Sequence, residues 1–137
     1  MKIKCIFEVI KDVLYAASFD GDTANVLDDL QDKWSDVLYL EEFFENNIKD
    51  LESGYFGSIS VEEAVEETIE AADELFEKLY EADGANLDSM FVPLDNREFK
   101  EYDFQKMKAR RGSSWLRLYA VHYFDQYVIT GGAIKLT

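Results

Sequence analysis

Two mostly apolar runs in the last part of the sequence, WLRLYAVHYF and YVITGGAIKL, constrain the fold of this chain most strongly. They are joined at Asp125-Gln126, which is the spacing of a tight β-hairpin. Both faces of this hairpin are mostly apolar, which predicts two inner strands with other parts of the chain packed over each face. Gly131-Gly132 weakens the second strand and indicates a bulge, or a place where another backbone or a ligand comes close.

Arg117 and Lys135 are cations inside these apolar runs. A charge in the middle of an apolar strand needs a partner or a ligand. With the turn at Asp125-Gln126, the two side chains project to opposite faces, unless a bulge at Gly131-Gly132 shifts the second strand by one residue. They are therefore candidates for binding a ligand. The alternative is that each side chain snorkels, or pairs with one of the many acids of the chain.

The charge of the chain is large and unevenly distributed. It contains 29 acidic residues and 14 lysines and arginines, and its net charge of −15 argues against generalised binding to nucleic acid or anionic membranes. Residues 20–83 contain 21 acids against three lysines, a net −18, whereas residues 97–117 contain seven bases against three acids, a net +4. The molecule is thus bipolar, and its basic part leads into the hairpin.

A chain of 137 residues is long enough for a core of its own, and we expect one domain over residues 1–137. Its one cysteine, Cys5, excludes an internal disulfide and fits a reducing cytosol. The first residues are too few and too charged for the apolar region of a signal peptide, and no window approaches the roughly 20 apolar residues that cross a bilayer. The sequence therefore predicts a cytoplasmic protein without a membrane partner.

The first half of the chain predicts strands followed by helices. Residues 1–19 have the pattern of a strand pair or of one long bent strand. Thr23 is a candidate cap for a short helix, and Ser35 or Asp36 for a second helix whose apolar positions continue to Leu51.

The strongest helix signal begins at Ser60. Ser60 and Glu63 have the spacing of a capping box, and the helix is expected to run to about Ala82, with Gly84 as its stop. One face of this helix is acidic and the other is apolar. The apolar stripe consists of Val61, Val65, Thr68, Ala72, Leu75, Phe76 and Leu79.

Residues 85–113 are predicted to be irregular, and the one proline of the chain, Pro93, lies among them. Taken together, the patterns predict an α+β fold. Its twisted antiparallel β-sheet is covered by helices, with N-terminal strands, a helical middle and a C-terminal β-hairpin.

A basic loop before the hairpin is the main candidate for nucleic-acid binding. It contains Lys106, Lys108, Arg110 and Arg111. Guanidinium groups bind phosphate oxygens in a bidentate fork, and lysine adds point charge. The same residues could instead neutralise the acidic helices of the protein itself, and both interpretations stay open.

The sequence contains no self-sufficient catalytic constellation. His122, the one histidine, alternates with apolar neighbours and is interpreted as a hydrogen-bonded core or edge residue rather than a catalytic base. One histidine and one cysteine cannot make a usual zinc site, and the stretch that begins at Asp20-Gly-Asp22 matches a calcium loop only at its start. We therefore predict no metal site and no small-molecule cofactor.

The last quarter of the chain resembles the RelE/HigB-like superfamily of small bacterial toxins. The likeness lies in a basic loop (KMKARRGSS), a strand with an arginine (WLRLYA), a short turn at Asp125-Gln126, and a final strand ending in GAIKLT. The order of N-terminal strand, helices and C-terminal antiparallel strands is also similar. The resemblance implies a cytoplasmic toxin that binds or cleaves mRNA, usually on the ribosome, and that is silenced by a small helix-turn-helix antitoxin.

Carried over to this sequence, the resemblance implies that Arg117 and Lys135 are the catalytic positions of an endoribonuclease, with the loop 106–111 beside them. Such cleavage can rely on positioning and on cationic stabilisation of the scissile phosphate, so a His/acid pair is not required. The acidic helices keep a second class of function open. In that class the chain is a non-enzymatic interaction protein whose Glu62–Glu81 face binds a basic partner or mimics nucleic acid.

Overall fold

A six-stranded sheet with helices packed on it forms the centre of the protein. The structure, a computed structural model, describes residues 3–19, 24–53, 59–83, 87–88, 90–93, 99–102, 115–123 and 125–136. Its elements in chain order are β1 (Ile3–Ile10), β2 (Leu14–Phe19), α1 (Val26–Ser35), α2 (Val37–Asn46), α3 (Ile48–Glu52), α4 (Val61–Tyr80), β3 (Phe91–Pro93), β4 (Phe99–Tyr102), β5 (Leu116–Tyr123) and β6 (Gln126–Ile134).

The strand order is β1-β2-β6-β5-β4-β3, so the first hairpin and the last four strands share one sheet. Neighbouring strands are antiparallel except β2 and β6, which run parallel, with Leu14 opposite Tyr127 and Ala16 opposite Ile129. A parallel pair needs a long connection, which the helices and the strands β3 to β5 provide here. The α+β prediction is confirmed, and the sheet is mixed rather than purely antiparallel.

The helices cover the face of the sheet that carries the buried side chains. In β5 the buried residues Leu116, Leu118 and Ala120 alternate with residues that are only half-buried. Helix α1 contacts β2 and β6, and α4 contacts β5. The half-buried side chains of β5, which include Arg117 and Tyr119, therefore lie on the opposite face.

Helix α4 forms where the capping box predicted it. The Ser60 hydroxyl accepts a hydrogen bond from the Glu63 backbone N–H at 3.2 Å, and the Glu63 carboxylate accepts one from the Ser60 N–H at 3.4 Å. The helix ends at Tyr80, slightly before the predicted end. Its buried residues are Ala64, Val65, Thr68, Ala72, Leu75, Phe76 and Leu79, which confirms the stripe except at the half-buried Val61.

The two preceding helices begin at caps that differ in part from the prediction. Helix α1 is capped by Asn25, whose side chain accepts from the Asp28 N–H at 2.9 Å, and the predicted cap Thr23 lies outside the described residues. Helix α2 is capped by Asp36, one of the two predicted candidates. The apolar spacing up to Leu51 continues through two helices rather than one, because a turn at Asn47 separates α2 from α3.

The prediction that residues 85–113 are irregular was wrong for two segments. Strands β3 and β4 pair with each other, and β4 extends the sheet beyond β5. Pro93 lies in β3, the outermost strand of the sheet. This position tolerates proline because an edge strand needs hydrogen bonds on one side only.

Among the helices in the described part of the chain, none is long and apolar enough to cross a membrane.

Candidate nucleic-acid interface

A bulge in the C-terminal hairpin sets the positions of Arg117 and Lys135 relative to each other. The strands pair from Tyr123 with Gln126 to Ala120 with Ile129, and the register then shifts, so that Arg117 lies opposite Ala133. The extra residue in β6 at this shift is Thr130, next to the predicted bulge at Gly131-Gly132. The shift changes by one residue which positions of β6 lie opposite those of β5.

The new register continues past the end of β6. The Lys135 N–H donates to the Trp115 carbonyl at 2.7 Å, as expected if the two chains stay paired. Lys135 is then a diagonal neighbour of Arg117, and such neighbours have side chains roughly 7–8 Å apart. Two cations at this spacing can contact neighbouring oxygens of one phosphodiester, or two successive phosphates.

The Arg117 side chain is half-buried and is held close to its own strand. Its Nη1 atom donates a hydrogen bond to the Leu116 carbonyl at 2.8 Å. A guanidinium presents five N–H donors in a planar fork that matches the oxygens of a phosphate. Arg117 therefore has a position fixed by the sheet and a chemistry suited to an oxyanion.

Lys135 is exposed. Among the described residues, no carboxylate forms an ion pair with its ammonium group within 4.0 Å. By contrast, Lys33 and Lys78 are held at 3.0 and 3.2 Å by acids one helical turn away. Lys11 and Lys49 also form no such ion pair with the described residues, but neither of them lines the pocket beside Lys135. In a protein with a net charge of −15, such a lysine is available to an anion from outside.

A pocket of about 300 Å³ opens beside Lys135, where helices α2 and α3 approach the end of β6. It combines a carboxylate, an amide, an ammonium group and two aromatic side chains. The lining residues are Phe43, Asn47, Asp50, Tyr119, Ala133, Ile134, Lys135 and Leu136. Polar and apolar groups line the pocket in similar measure.

The helical side of this pocket was not predicted from the sequence. Phe43, Asn47 and Asp50 lie in an acidic segment whose pattern indicates only amphipathic helices. Their proximity to Lys135 depends on how the helices pack on the sheet, and no local pattern encodes it. The predicted loop residues Lys106, Lys108, Arg110 and Arg111 lie outside the described residues.

His122 belongs to a cluster at the other end of the hairpin. Its ring stacks on Tyr127, with centroids 4.2 Å apart and planes 8° from parallel. The Tyr127 hydroxyl donates to Asp88 Oδ1 at 2.7 Å, and His122 Nε2 lies 3.8 Å from the same oxygen. The half-buried His122 thus packs against the core, in the kind of position that the sequence predicted.

Tyr127 is held in its protonated form by this cluster. Burial, the hydrogen bond to Asp88 and the charge of Asp88 together raise the pKa of the Tyr127 hydroxyl far above its usual value of about 10. A pKa that is raised in the folded state contributes stability that is fully present below the unfolded-state pKa and is lost as pH rises through the folded-state pKa.

We therefore expect the free energy of unfolding to fall as pH rises above about 10, and Tyr127→Phe to reduce that fall. The measurement is urea unfolding of parent and variant at about pH 8 and about pH 11. Tyr39→Phe, at an exposed position of α2, controls for the general loss of a tyrosine hydroxyl. Parent and Tyr127→Phe with the same pH dependence would show that Tyr127 does not contribute to it.

The described residues contain no group of three or more histidine, cysteine, aspartate or glutamate side chains arranged to hold a metal ion.

Comparison of the chain with models of known protein families, with curated proteins and with solved structures finds no match. The resemblance to RelE/HigB-like toxins therefore depends only on the residues that carry it.

Proposed function

We propose that this chain is a toxin-like component of a toxin–antitoxin pair that engages mRNA through Arg117 and Lys135. The observation that carries the proposal is that Lys135, which lines a pocket, lies diagonally across the two strands from Arg117. The sequence resemblance to the RelE/HigB-like superfamily supports the same two positions. The basic loop at residues 106–111 would add phosphate contacts along the RNA.

The proposed chemistry is cleavage of the RNA backbone by its own ribose 2′-hydroxyl. The 2′-hydroxyl gives its proton to water and its oxygen bonds to the neighbouring phosphorus, while negative charge accumulates on the phosphate oxygens. The bond from phosphorus to the 5′-oxygen then breaks and that oxygen takes a proton from water, which leaves a 2′,3′-cyclic phosphate and a 5′-hydroxyl. Arg117 and Lys135 stabilise that charge, and a cation placed where charge develops contributes most in the transition state. Removal of one such group typically lowers the rate by about 10²–10³-fold.

The pocket is suited to a base of the bound strand. Proteins that read single-stranded RNA stack unpaired bases on aromatic rings and hydrogen-bond to their edges. Phe43 supplies a half-buried ring, which is packed edge-on against Phe44 with centroids 5.3 Å apart. Asn47 and Asp50 supply groups that can hydrogen-bond to a base edge. A base held here would place its phosphate near Lys135.

Induced expression is expected to arrest bacterial growth, and Arg117→Ala or Lys135→Ala to relieve the arrest. The matched control is Lys33→Ala, which removes a lysine from an exposed ion pair on α1 and should leave the arrest intact. With purified protein, Lys135→Ala should flatten the dependence of RNA affinity on salt by about 0.7 in the logarithmic slope, because one phosphate contact is lost.

Folding of each variant is checked by circular dichroism. Normal growth on expression of the folded parent, together with no detectable RNA binding, would refute the proposal. A neighbouring reading frame for a small helix-turn-helix protein would supply the antitoxin that the proposal requires, and co-expression of that protein should restore growth.

A second function is favoured by the solvent face of α4 and by exposed apolar side chains on α2. The exposed acids of α4 are Glu62, Glu63, Glu66, Glu70, Asp73 and Glu77. On α2, Leu38 is 75% exposed and lies beside the exposed Val37 and Tyr39. Apolar groups within an acidic surface suit a basic protein partner. In that case Glu66→Gln, Glu70→Gln and Glu77→Gln together would abolish partner binding, and Arg117→Ala would change nothing.

A further inference from the structure

The pocket beside Lys135 contains two side chains whose oxygens accept no hydrogen bond from the described residues. Asn47 and Asp50 both line it, and they lie three residues apart at the start of α3, so they share one side of that helix. Among the described residues, the Asp50 carboxylate has no ion pair and no side-chain hydrogen bond. Because an ionised carboxylate only accepts hydrogen bonds, a ligand that contacts Asp50 must donate.

The orientation of the Asn47 amide is fixed at the end of α2. Its Nδ2 atom donates a hydrogen bond to the Phe43 carbonyl at 2.8 Å. A carbonyl can only accept, so the nitrogen end of the amide is the end at Phe43, and the Oδ1 end is left for a ligand. Asn47 and Asp50 therefore both offer acceptors to the pocket.

We infer that this pocket selects guanine among the bases of a bound RNA. The inference deepens the proposed function and rests on it, because it names the base that the RNA strand places there. Guanine alone of the four RNA bases carries two neighbouring donors, N1–H and the N2 amino group, on its pairing edge. The Asp50 carboxylate can accept from both in a fork, as it does from arginine, and Asn47 Oδ1 can accept the second hydrogen of the amino group.

The other three bases meet Asp50 with an acceptor. Adenine has N1 beside its amino group, cytosine has N3 beside its amino group, and uracil flanks its one N–H with two carbonyl oxygens. An acceptor that faces a carboxylate is repelled, and both groups lose the water that would otherwise satisfy them. Asp50 also repels the phosphates of every strand, so it favours only a strand that offers donors.

The size of the pocket fits one base. Its volume of about 300 Å³ lies at the small end of ligand pockets, which span roughly 300–1,000 Å³. Phe43, whose carbonyl orients Asn47, also lines the pocket. An aromatic residue beside groups that hydrogen-bond to a base edge is the arrangement by which proteins hold unpaired RNA bases.

The test is the affinity of the purified full-length protein for four short oligouridine strands that differ at one central base: guanine, hypoxanthine, adenine or cytosine. Their riboses are 2′-O-methylated, so that the strands cannot be cleaved through the 2′-oxygen. Hypoxanthine is guanine without the N2 amino group. We expect guanine to bind about tenfold or more tightly than adenine or cytosine, the discrimination of one bidentate contact, with hypoxanthine between them.

Asp50→Asn tests the residue that carries the inference. An amide offers a donor and an acceptor, which complement adenine or cytosine rather than guanine, so this variant should lose the guanine preference and gain affinity for adenine. Asp32→Asn, at an exposed position of α1, removes the same charge elsewhere and should keep the preference. A guanine preference that Asp50→Asn leaves unchanged would overturn the inference.

Further outcomes separate this inference from the proposed function. Equal affinity for the four strands would overturn the inference and leave RNA engagement by Arg117 and Lys135 standing. If no strand binds, guanosine and inosine are titrated against isotope-labelled protein, and the amide resonances of Asn47 and Asp50 are followed. A shift with guanosine that is weaker with inosine would support the guanine selectivity of the pocket and refute RNA engagement. No shift with either nucleoside would overturn both.

Discussion

Leu75→Asp is expected to lower the free energy of unfolding by about 4–5 kcal/mol or more and to leave little of the protein folded. Leu75 is 0% exposed and lies on the buried stripe of α4. The variant loses the packing of a leucine, which alone costs about 2–5 kcal/mol. It also moves a carboxylate away from water, next to Phe76 and Leu79. Domains are stable by only about 5–15 kcal/mol, so this single change is severe.

The matched control is Leu38→Asp on α2, where the same side chain is 75% exposed. It should change the stability by no more than about 0.5 kcal/mol. The measurement is urea unfolding followed by far-ultraviolet circular dichroism, with the slope checked for two-state behaviour. If Leu75→Asp unfolded at the same urea concentration as Leu38→Asp, α4 would not be part of the core.

Gly132→Ala is expected to destabilise the protein by about 1–3 kcal/mol, although alanine adds only one methyl group. A Cβ atom at residue 132 would lie 2.8 Å from the Arg117 carbonyl oxygen and 2.8 Å from Leu30 Cδ1. Leu30 could move, but the carbonyl belongs to the backbone of β5 and can move only with the strand. The strain therefore acts on the part of the hairpin that positions Arg117.

Gly131→Ala is the control, because Gly131 is next to Gly132 in the chain but has open space around it. A Cβ atom at residue 131 would meet nothing within 4 Å, and neither glycine adopts a backbone conformation reserved for glycine. This variant should be neutral or slightly stabilising, by up to about 1 kcal/mol, because alanine restricts the unfolded chain. Thermal melts of the two variants test the difference, and equal melting temperatures would show that residue 132 is not confined.

The same pair of variants separates stability from function at the candidate interface. Gly131→Ala should retain RNA binding if the open surface beside it is not in contact with the ligand. A loss of RNA affinity in this folded variant would indicate that the bound RNA passes close to Gly131. The sequence had indicated such a close approach of a ligand at Gly131-Gly132.

The helices were predictable because their signals are local. The Ser60–Glu63 capping box and the 3.6-residue spacing of the α4 stripe need no information from the rest of the chain. Strands β3 and β4 were missed because three or four residues are too few to show an alternating pattern. Strand β4 hydrogen-bonds to the edge that β5 offers, and β3 hydrogen-bonds to β4.

The register of the C-terminal hairpin could not be predicted from its local sequence. Tyr123 pairs with Gln126, so Gln126 already belongs to β6 and is not part of the turn that was predicted at Asp125-Gln126. The two polar residues between the apolar runs had indicated the later position. The observed register keeps Tyr127 and Ile129 on the buried face, and the bulge then allows Gly132 to fit against α1.

The sequence by itself determined the α+β class, the apolar stripe of α4 and the presence of two cations in a hairpin that is otherwise mostly apolar. Those features depend on residue type and spacing along the chain. The tertiary structure decided the parallel contact of β2 with β6, the position of Lys135 diagonally across the strands from Arg117, and the pocket between Phe43 and Lys135. Each of these brings together residues far apart in sequence, or depends on a one-residue bulge, and is decided only by how side chains fit when the helices pack on the sheet.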